Sequence, residues 1–383
     1  MRRFFLLFLF LVLALPSSAQ MGKQVIVRAG TPEDAALREI DAAADLAQKI
    51  ALLDKFMAEF GKGDIALLAY ERYISAYLAA KKYDRAFEYG HKAMEMDPDN
   101  FTVAYRLVAG VAEKGDAEHV FVFGEHIGKM IERYRNAPAP ETADPQLWEE
   151  QKRVTLSNIS DQVAYVGQVM YTIGAQVSGP AARAALLERF VAVFPDSPFA
   201  GDAQLLVADA HGQAGNLARK VAFAEKVLSR DPDNVNMLVA LAEHFAAQGE
   251  QVERAEQYAR KALRLLPQAE KPAHLTDAQW AQRKNLQTGL SRSALGQVYV
   301  HLIRDNDAVE PLRQASPLLK PYSFYYGRNQ YFLGFVLARM KRTLEAREVL
   351  TEAVAIDSPY RERALDTLNR IGGPLRRPAK KSS

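Results

Sequence analysis

After a short apolar run near its start, this chain interleaves apolar and polar positions in segments that read as helices, and those segments return at fixed offsets. Ala51-Leu-Leu-Asp-Lys-Phe-Met-Ala-Glu-Phe60 comes back as Ala185-Leu-Leu-Glu-Arg-Phe-Val-Ala-Val-Phe194, and Asp97-Pro-Asp-Asn100 as Asp231-Pro-Asp-Asn234, both at an offset of 134. Two separated segments in one register mark a duplicated block of about 130 residues. A partial third copy pairs Pro195 to Gln204 with Pro321 to Gln330 at an offset of 126. Trp148 and Trp280 each open a long polar-apolar segment, predicting helices over about 145–175 and 276–304. Residues 33–60 predict a starting helix pair, and 101–134 a second pair turning at Gly115-Asp116.

Inside each block lies a shorter unit of about 34 residues. The unit from Leu67 places Tyr77, Ala86, Ala93 and Pro98 at set intervals; the unit from Gly289 places Leu295-Gly296, Tyr299, Ala308 and Ala315, with Pro321 one residue late. The unit from Gly327 has Leu333-Gly334, Leu337, Ala346 and Ala353, with Pro359 one late. The unit from Val235 has Leu241-Ala242 and Phe245, then an extra loop residue before Ala255, Ala262 and Pro267. These residues resemble the tetratricopeptide-repeat family, whose unit is two antiparallel helices. Two helices on a short turn approach closely only where small residues occupy the crossings, and proline ends the second helix by removing a donor and clashing with the turn before it. The units over 101–134 and from Gly201 depart from the pattern, with Val120, Gly124 and Ile127 in one and Lys220 in place of alanine in the other.

The resemblance implies an all-α fold, a right-handed α-α superhelix or TPR solenoid of about seven helix-pair units. Its expected divisions are N-terminal helices over 20–66, a first block over 67–197, a second over 198–321, and a last unit with a capping helix over 322–371. Residues 372–383, rich in Gly, Pro, Lys and Ser, read as a disordered basic tail.

Arg2 and Arg3, the apolar run from Phe4 to Leu15, and the small residues Ser17 to Ala19 read as a signal peptide over 1–19 cleaved near Ala19, so an exported, periplasmic or secreted protein is expected. The run is too short for a spanning helix, and no later segment is long and apolar enough for one. Cysteine is absent, which excludes disulfides, thiol chemistry, cysteine metal sites and lipidation on cysteine. The formal charge of +3 includes Arg2, Arg3, Arg376, Arg377, Lys380 and Lys381, so residues 20–371 carry −3 and charge gives no footprint for nucleic acid.

Catalytic chemistry finds no motif. The histidines are scattered, HExxH, GxSxG and SxxK are absent, and His119 with His126 beside Glu118 and Glu125 reads as a solvated helix face rather than a metal site. Gly124 to Lys129 is one residue short of a phosphate loop, lacks the following Ser or Thr, and falls in a helix. No catalytic residue, metal or cofactor is therefore expected. The function expected is a non-enzymatic scaffold of the cell envelope that binds a partner protein or peptide. In the family resembled, set positions of each first helix face the groove, which implicates Ser293, Gln297 and His301 in one unit and Arg328, Tyr331, Phe335 and Arg339 in the next. The corresponding Leu68, Glu71, Ser75 and Ala79 of the first unit suit an apolar and acidic peptide less well, and Glu71 and Ser75 stand where the family's carboxylate clamp wants Lys and Asn. The alternative is a glycan-binding or carbohydrate-processing accessory role, suggested by Tyr322, Phe324, Tyr325, Tyr326, Tyr331 and Phe332, for most of which a core role is the simpler reading.

Overall fold

The computed structural model describes residues 21–374; the expected signal segment 1–19 and most of the basic tail lie outside them. The described residues form eighteen α-helices and one 3-10 turn, with no strand among them. They divide into two compact units, the first reaching Gln176 and including Arg189–Ser197, the second made of Val177–Glu188 and the chain from Pro198 onward.

Unit 1 holds α1 (Pro32–Ala42), α2 (Leu46–Phe60), α3 (Ile65–Ala79), α4 (Tyr83–Met96), α5 (Phe101–Ala112), α6 (Ala117–Asn136), α7 (Pro145–Asn158) and α8 (Ser160–Gln176). Successive helices from α1 to α6 pack on one another and α8 packs on α6, while α3 also touches α5, the contact expected when helix pairs stack. Helix α9 (Pro180–Val193) is divided between the units. Unit 2 holds α10 (Ala200–Gln213), α11 (Leu217–Arg230), α12 (Val235–Gln248), α13 (Val252–Leu265), α14 (Asp277–His301), α15 (Asp305–Leu319), α16 (Ser323–Arg339), α17 (Thr343–Ala355) and α18 (Arg361–Arg370). There too each helix packs on the next, and α10 with α12, α12 with α14, and α14 with α16 lie side by side.

The small residues named from the sequence sit at the crossings. Ala86, Ala93, Ala255, Ala262, Ala308, Ala315, Ala346 and Ala353 are all buried at 1% exposure or less. A methyl group at Gly334 would lie 2.6 Å from Leu350 Cδ2, and one at Gly296 would lie 2.7 Å from Leu312 Cδ2, so first and second helices touch there without room for a side chain. The turns within pairs share a left-handed residue in one slot: Lys81, Gly115, Gly215, Ile303 and Lys341, with φ between 56° and 70°. That conformation is strained for a β-branched side chain such as Ile303, which points outward at 75% exposure.

The repeated Asp-Pro-Asp-Asn segment is a helix start. Asn100 and Asn234 each accept a backbone N–H, from Val103 at 3.0 Å and Met237 at 3.2 Å, and each donates to the preceding first helix, at Glu71 and Gln204. In unit 1 the turn also receives the extended N-terminal segment. Lys23 donates its backbone N–H to Asp97 at 2.8 Å, and Gly22, at φ 101°, lies so close to the turn that a methyl group would fall 2.7 Å from the Asp97 carboxylate.

One expected element differs. The helix over about 145–175 is two helices, because the chain leaves helical geometry at Ile159 (φ −101°, ψ 2°). Ser157, Asn158, Ser160 and Asp161 flank that residue, and their side chains compete for backbone hydrogen bonds. The break lets α7 turn back on the end of α6. There Lys152 Nζ donates to the carbonyls of Arg135 and Ala137 at 2.9 and 3.0 Å, and Trp148 Nε1 donates to Ala137 at 3.1 Å. The second long helix, α14, is continuous, and a capping box between Thr276 and Gln279 starts it.

Candidate functional site

A concave cavity of about 400 Å³ opens in unit 1 between α1, α2, α3 and α5. Its wall includes Glu71, Ser75 and Ala79, three of the four first-helix positions that the repeat register turns toward the groove, with Lys49, Arg72 and Arg106 around them. Arg72 is neutralised by a two-pronged pair to Asp41, at 2.8 Å on both oxygens. Among the described residues Arg106 has only neutral acceptors, Ser75 Oγ at 2.8 Å and the Glu71 carbonyl at 3.4 Å. Glu71 accepts from the Asn100 amide, and Lys49 has no ion-pair partner among the described residues. With the Arg72–Asp41 pair set aside, the cavity presents two half-buried cations, Lys49 and Arg106, against the single carboxylate of Glu71.

In unit 2 the corresponding wall is bridged by its own polar side chains. Arg283 of α14 reaches Asp202 of α10 at 2.5 Å, and His274, from the loop before α14, meets the other Asp202 oxygen at 2.9 Å. Burial pushes the Asp202 carboxyl up, but its bonds to Arg283 and His274 bring it below the usual aspartate value. Gln287 of α14 donates to Asn236 of α12 at 2.6 Å. Arg328 of α16 donates to Glu243 of α12 at 2.6 Å, while Lys220 of α11 approaches the same carboxylate at 3.6 Å. Burial again raises the Glu243 carboxyl, and Arg328 and Lys220 more than reverse it. Lys220, which departs from the alanine of the repeat pattern, thus sends its ammonium into a buried charge cluster.

These links decide where the sequence-expected groove residues lie. Ser293 and Gln297 are buried at 1% and 0% exposure and bonded to each other, Gln297 Nε2 donating to Ser293 Oγ at 3.0 Å. Arg328 is buried at 2% exposure, with its guanidinium 5.6 Å from the Phe324 and Tyr325 ring centres. His301 is exposed but its ring rests on the end of α12, bonded to the Ala246 carbonyl at 3.1 Å. Tyr331, Phe335 and Arg339 do come together. They form a column along α16, with Tyr331 and Phe335 rings 6.0 Å apart and the Arg339 guanidinium 5.5 Å from Phe335, and Tyr360 beside α18 continues it 5.7 Å from Tyr331. Tyr331 is half-buried and also packs on the cluster of Leu350, Ala353, Ala364 and Leu368, and Arg339 is paired with Asp305.

Of the aromatic cluster that suggested a glycan role, Tyr326 and Phe332 are buried, and Phe324 is its one largely exposed ring, at 45%. Burial pushes the Tyr325 hydroxyl up to about 12. His119 and His126, expected on a solvated face, are partly exposed and also make structural contacts: His119 stacks on Phe87 at 3.9 Å, and His126 Nε2 bonds the Pro98 carbonyl at 2.6 Å. Burial lowers the His126 pKa. Among the described residues no group of three or more His, Asp or Glu side chains is placed to hold a metal ion, and no helix is long and apolar enough to cross a membrane.

Helix pairs stacked on one another, with small residues buried where they cross, define an all-α helical-repeat fold. Among the solved structures it is similar to are the Cut9–Hcn1 hetero-tetramer of the APC/C, with a TM-score of 0.38, 17% identity and coverage of 89% of this chain and 62% of that one; yeast Tom70, with 0.30, 11%, 88% and 87%; and the TPR domain of P58(IPK), with 0.26, 14%, 88% and 85%. This chain thus spans less than two thirds of the first of these. No family model matches the sequence, and no curated protein matches it.

Proposed function

We propose that the protein is a non-catalytic scaffold that binds a partner protein through an extended, net-acidic segment. The observation that carries this is the unit 1 cavity, where Lys49 and Arg106 face an open space of about 400 Å³ and have no carboxylate partner among the described residues. An acidic side chain entering there gains two charge-assisted contacts, and Glu71 selects against a second acid beside it. Labelled acidic, neutral and basic peptides of equal length, titrated against the full chain, test the reading. The acidic peptide binds tightest, with an affinity that falls as salt rises, and the Lys49→Ala, Arg106→Ala double variant loses roughly tenfold or more, the scale seen when interface anchors are truncated. Equal affinity for the three peptides, or unchanged binding by the folded double variant, removes the proposal. Loss in a Tyr331→Ala, Arg339→Ala variant instead moves the contact to the α16 column.

The same reading places the scaffold in the cell envelope, as an exported protein, supported by Arg2, Arg3 and the apolar run from Phe4 to Leu15, which lie outside the described residues. N-terminal sequencing of the exported form begins at or within a residue or two of Gln20. An intact Met1 in a membrane fraction would falsify it.

A further inference from the structure

Helix α14 is longer than its neighbours, and its extra turns build something. It has 25 residues where α10, α12 and α13 have 14 each, and Asp277 to Thr288 precede the repeat register that starts at Gly289. These added turns stand beside the 3-10 turn Leu266–Gln268 that ends α13. Between them and α15 lies a cleft of about 430 Å³, within the range of about 300–1,000 Å³ that holds small ligands.

The cleft is amphipathic, and its charge is of one sign. Its apolar lining comes from Leu263, Leu266, Pro267, Leu295 and Pro311. With them stand Lys284, Thr288 and Arg292, spaced four apart and so stacked on one face of α14, together with Asn285 and Gln314. No acidic residue lines it. Lys284 and Arg292 are half-buried, and among the described residues neither has an ion-pair partner; Lys284 only rests 5.5 Å from the Trp280 ring centre. Two cations half out of water without a counter-charge are disfavoured unless an anion joins them. The guanidinium of Arg292 offers the fork geometry that a carboxylate matches, and the hydroxyl and amides offer further bonds.

We propose that this cleft binds an amphipathic carboxylate, its acid group between Lys284 and Arg292 and its apolar body on Leu263, Leu266 and Leu295. The ligand is either a free medium-chain acid or an acidic side chain carried next to apolar residues by a partner. The site lies wholly in unit 2, so it stands or falls independently of the unit 1 cavity. Calorimetric titration of the full chain with octanoate, 1-octanol, acetate and the peptide acetyl-Leu-Glu-Leu-amide tests it, with Trp280 fluorescence in a Trp148→Phe background as a local reporter. Octanoate or the peptide binds saturably and shifts Trp280 emission, while octanol and acetate bind at least tenfold more weakly. The Lys284→Ala, Arg292→Ala variant, with wild-type circular dichroism, loses tenfold or more, and Arg292→Lys retains part of the affinity. Octanoate binding assigns a free acid, and peptide binding alone assigns a partner's side chain. Failure of both probes to saturate, equal binding of octanol, or full binding by the folded double variant overturns the site.

Discussion

Replacing Arg328 by alanine destabilises unit 2 by about 3–5 kcal/mol, the usual cost of removing one partner from a buried ion pair. The loss comes less from the attraction removed than from what remains. Glu243, 15% exposed, keeps only Lys220 at 3.6 Å, and the Phe324 and Tyr325 rings lose the guanidinium that packs beside both. The comparison that isolates this is Arg328→Met with Glu243→Gln and Lys220→Ala, which removes all three charges and recovers most of the stability, because no buried charge is left without a partner. Urea denaturation followed by Trp280 fluorescence in a Trp148→Phe background reads the change in the unit that contains the pair. The wild type has a matching acid response. The Glu243 carboxyl titrates below its ordinary value in the folded state, so the contribution is complete above that ordinary value and is lost as pH falls through the lowered one. An Arg328→Ala protein as stable as wild type would show that the link between α12 and α16 holds nothing together.

The helix pairs were legible because their signal is local. Alanine and glycine at fixed spacing and a closing proline recur whatever lies around them, and Ala346 and Ala353 are buried as the pattern implies. The break at Ile159 was less visible, since each of Ser157, Asn158, Ser160 and Asp161 is tolerated singly in a helix and only their conjunction ends one. The site was legible in direction but not in depth. Register aims Glu71, Ser75, Arg328 and Tyr331 at the groove side, but whether that side is open depends on how closely alternate first helices approach. In unit 2 they come near enough for Arg283 to reach Asp202 and for Arg328 to reach Glu243, which turns groove positions into interior ones. The one sequence clue was Lys220, a lysine at a crossing meant for alanine, which requires a buried counter-charge. The cleft beside α14 had a clue too, in a helix predicted longer than its repeat allows.

Two glycine substitutions separate packing at a crossing from helix propensity, because the two effects oppose each other. Glycine inside a helix costs about 0.5–1 kcal/mol relative to alanine, so any replacement that fits is stabilising. Gly212, in α10, has Lys220 Cδ as its nearest neighbour, 3.9 Å from where a methyl group would sit, and that is ordinary contact with a flexible stem. Gly212→Ala therefore stabilises by up to about 1 kcal/mol. Gly296 is the opposite case. A methyl group there meets Leu312 at Cγ and Cδ2 and lies 3.2 Å from the Ala308 carbonyl, which is backbone and moves only if α15 moves. Leu312 and Ala308 are themselves fully buried, so neither can swing aside. Overpacking of this kind costs about 1–3 kcal/mol, which exceeds the propensity gain, and Gly296→Val stands at the upper end because valine adds two further methyls to the same gap. Thermal unfolding of the two variants beside wild type reads both signs. A Gly296→Val protein that melts with wild type, or a Gly212→Ala protein that melts well below it, would mean that the crossings are not where the close contacts of the helix pairs lie.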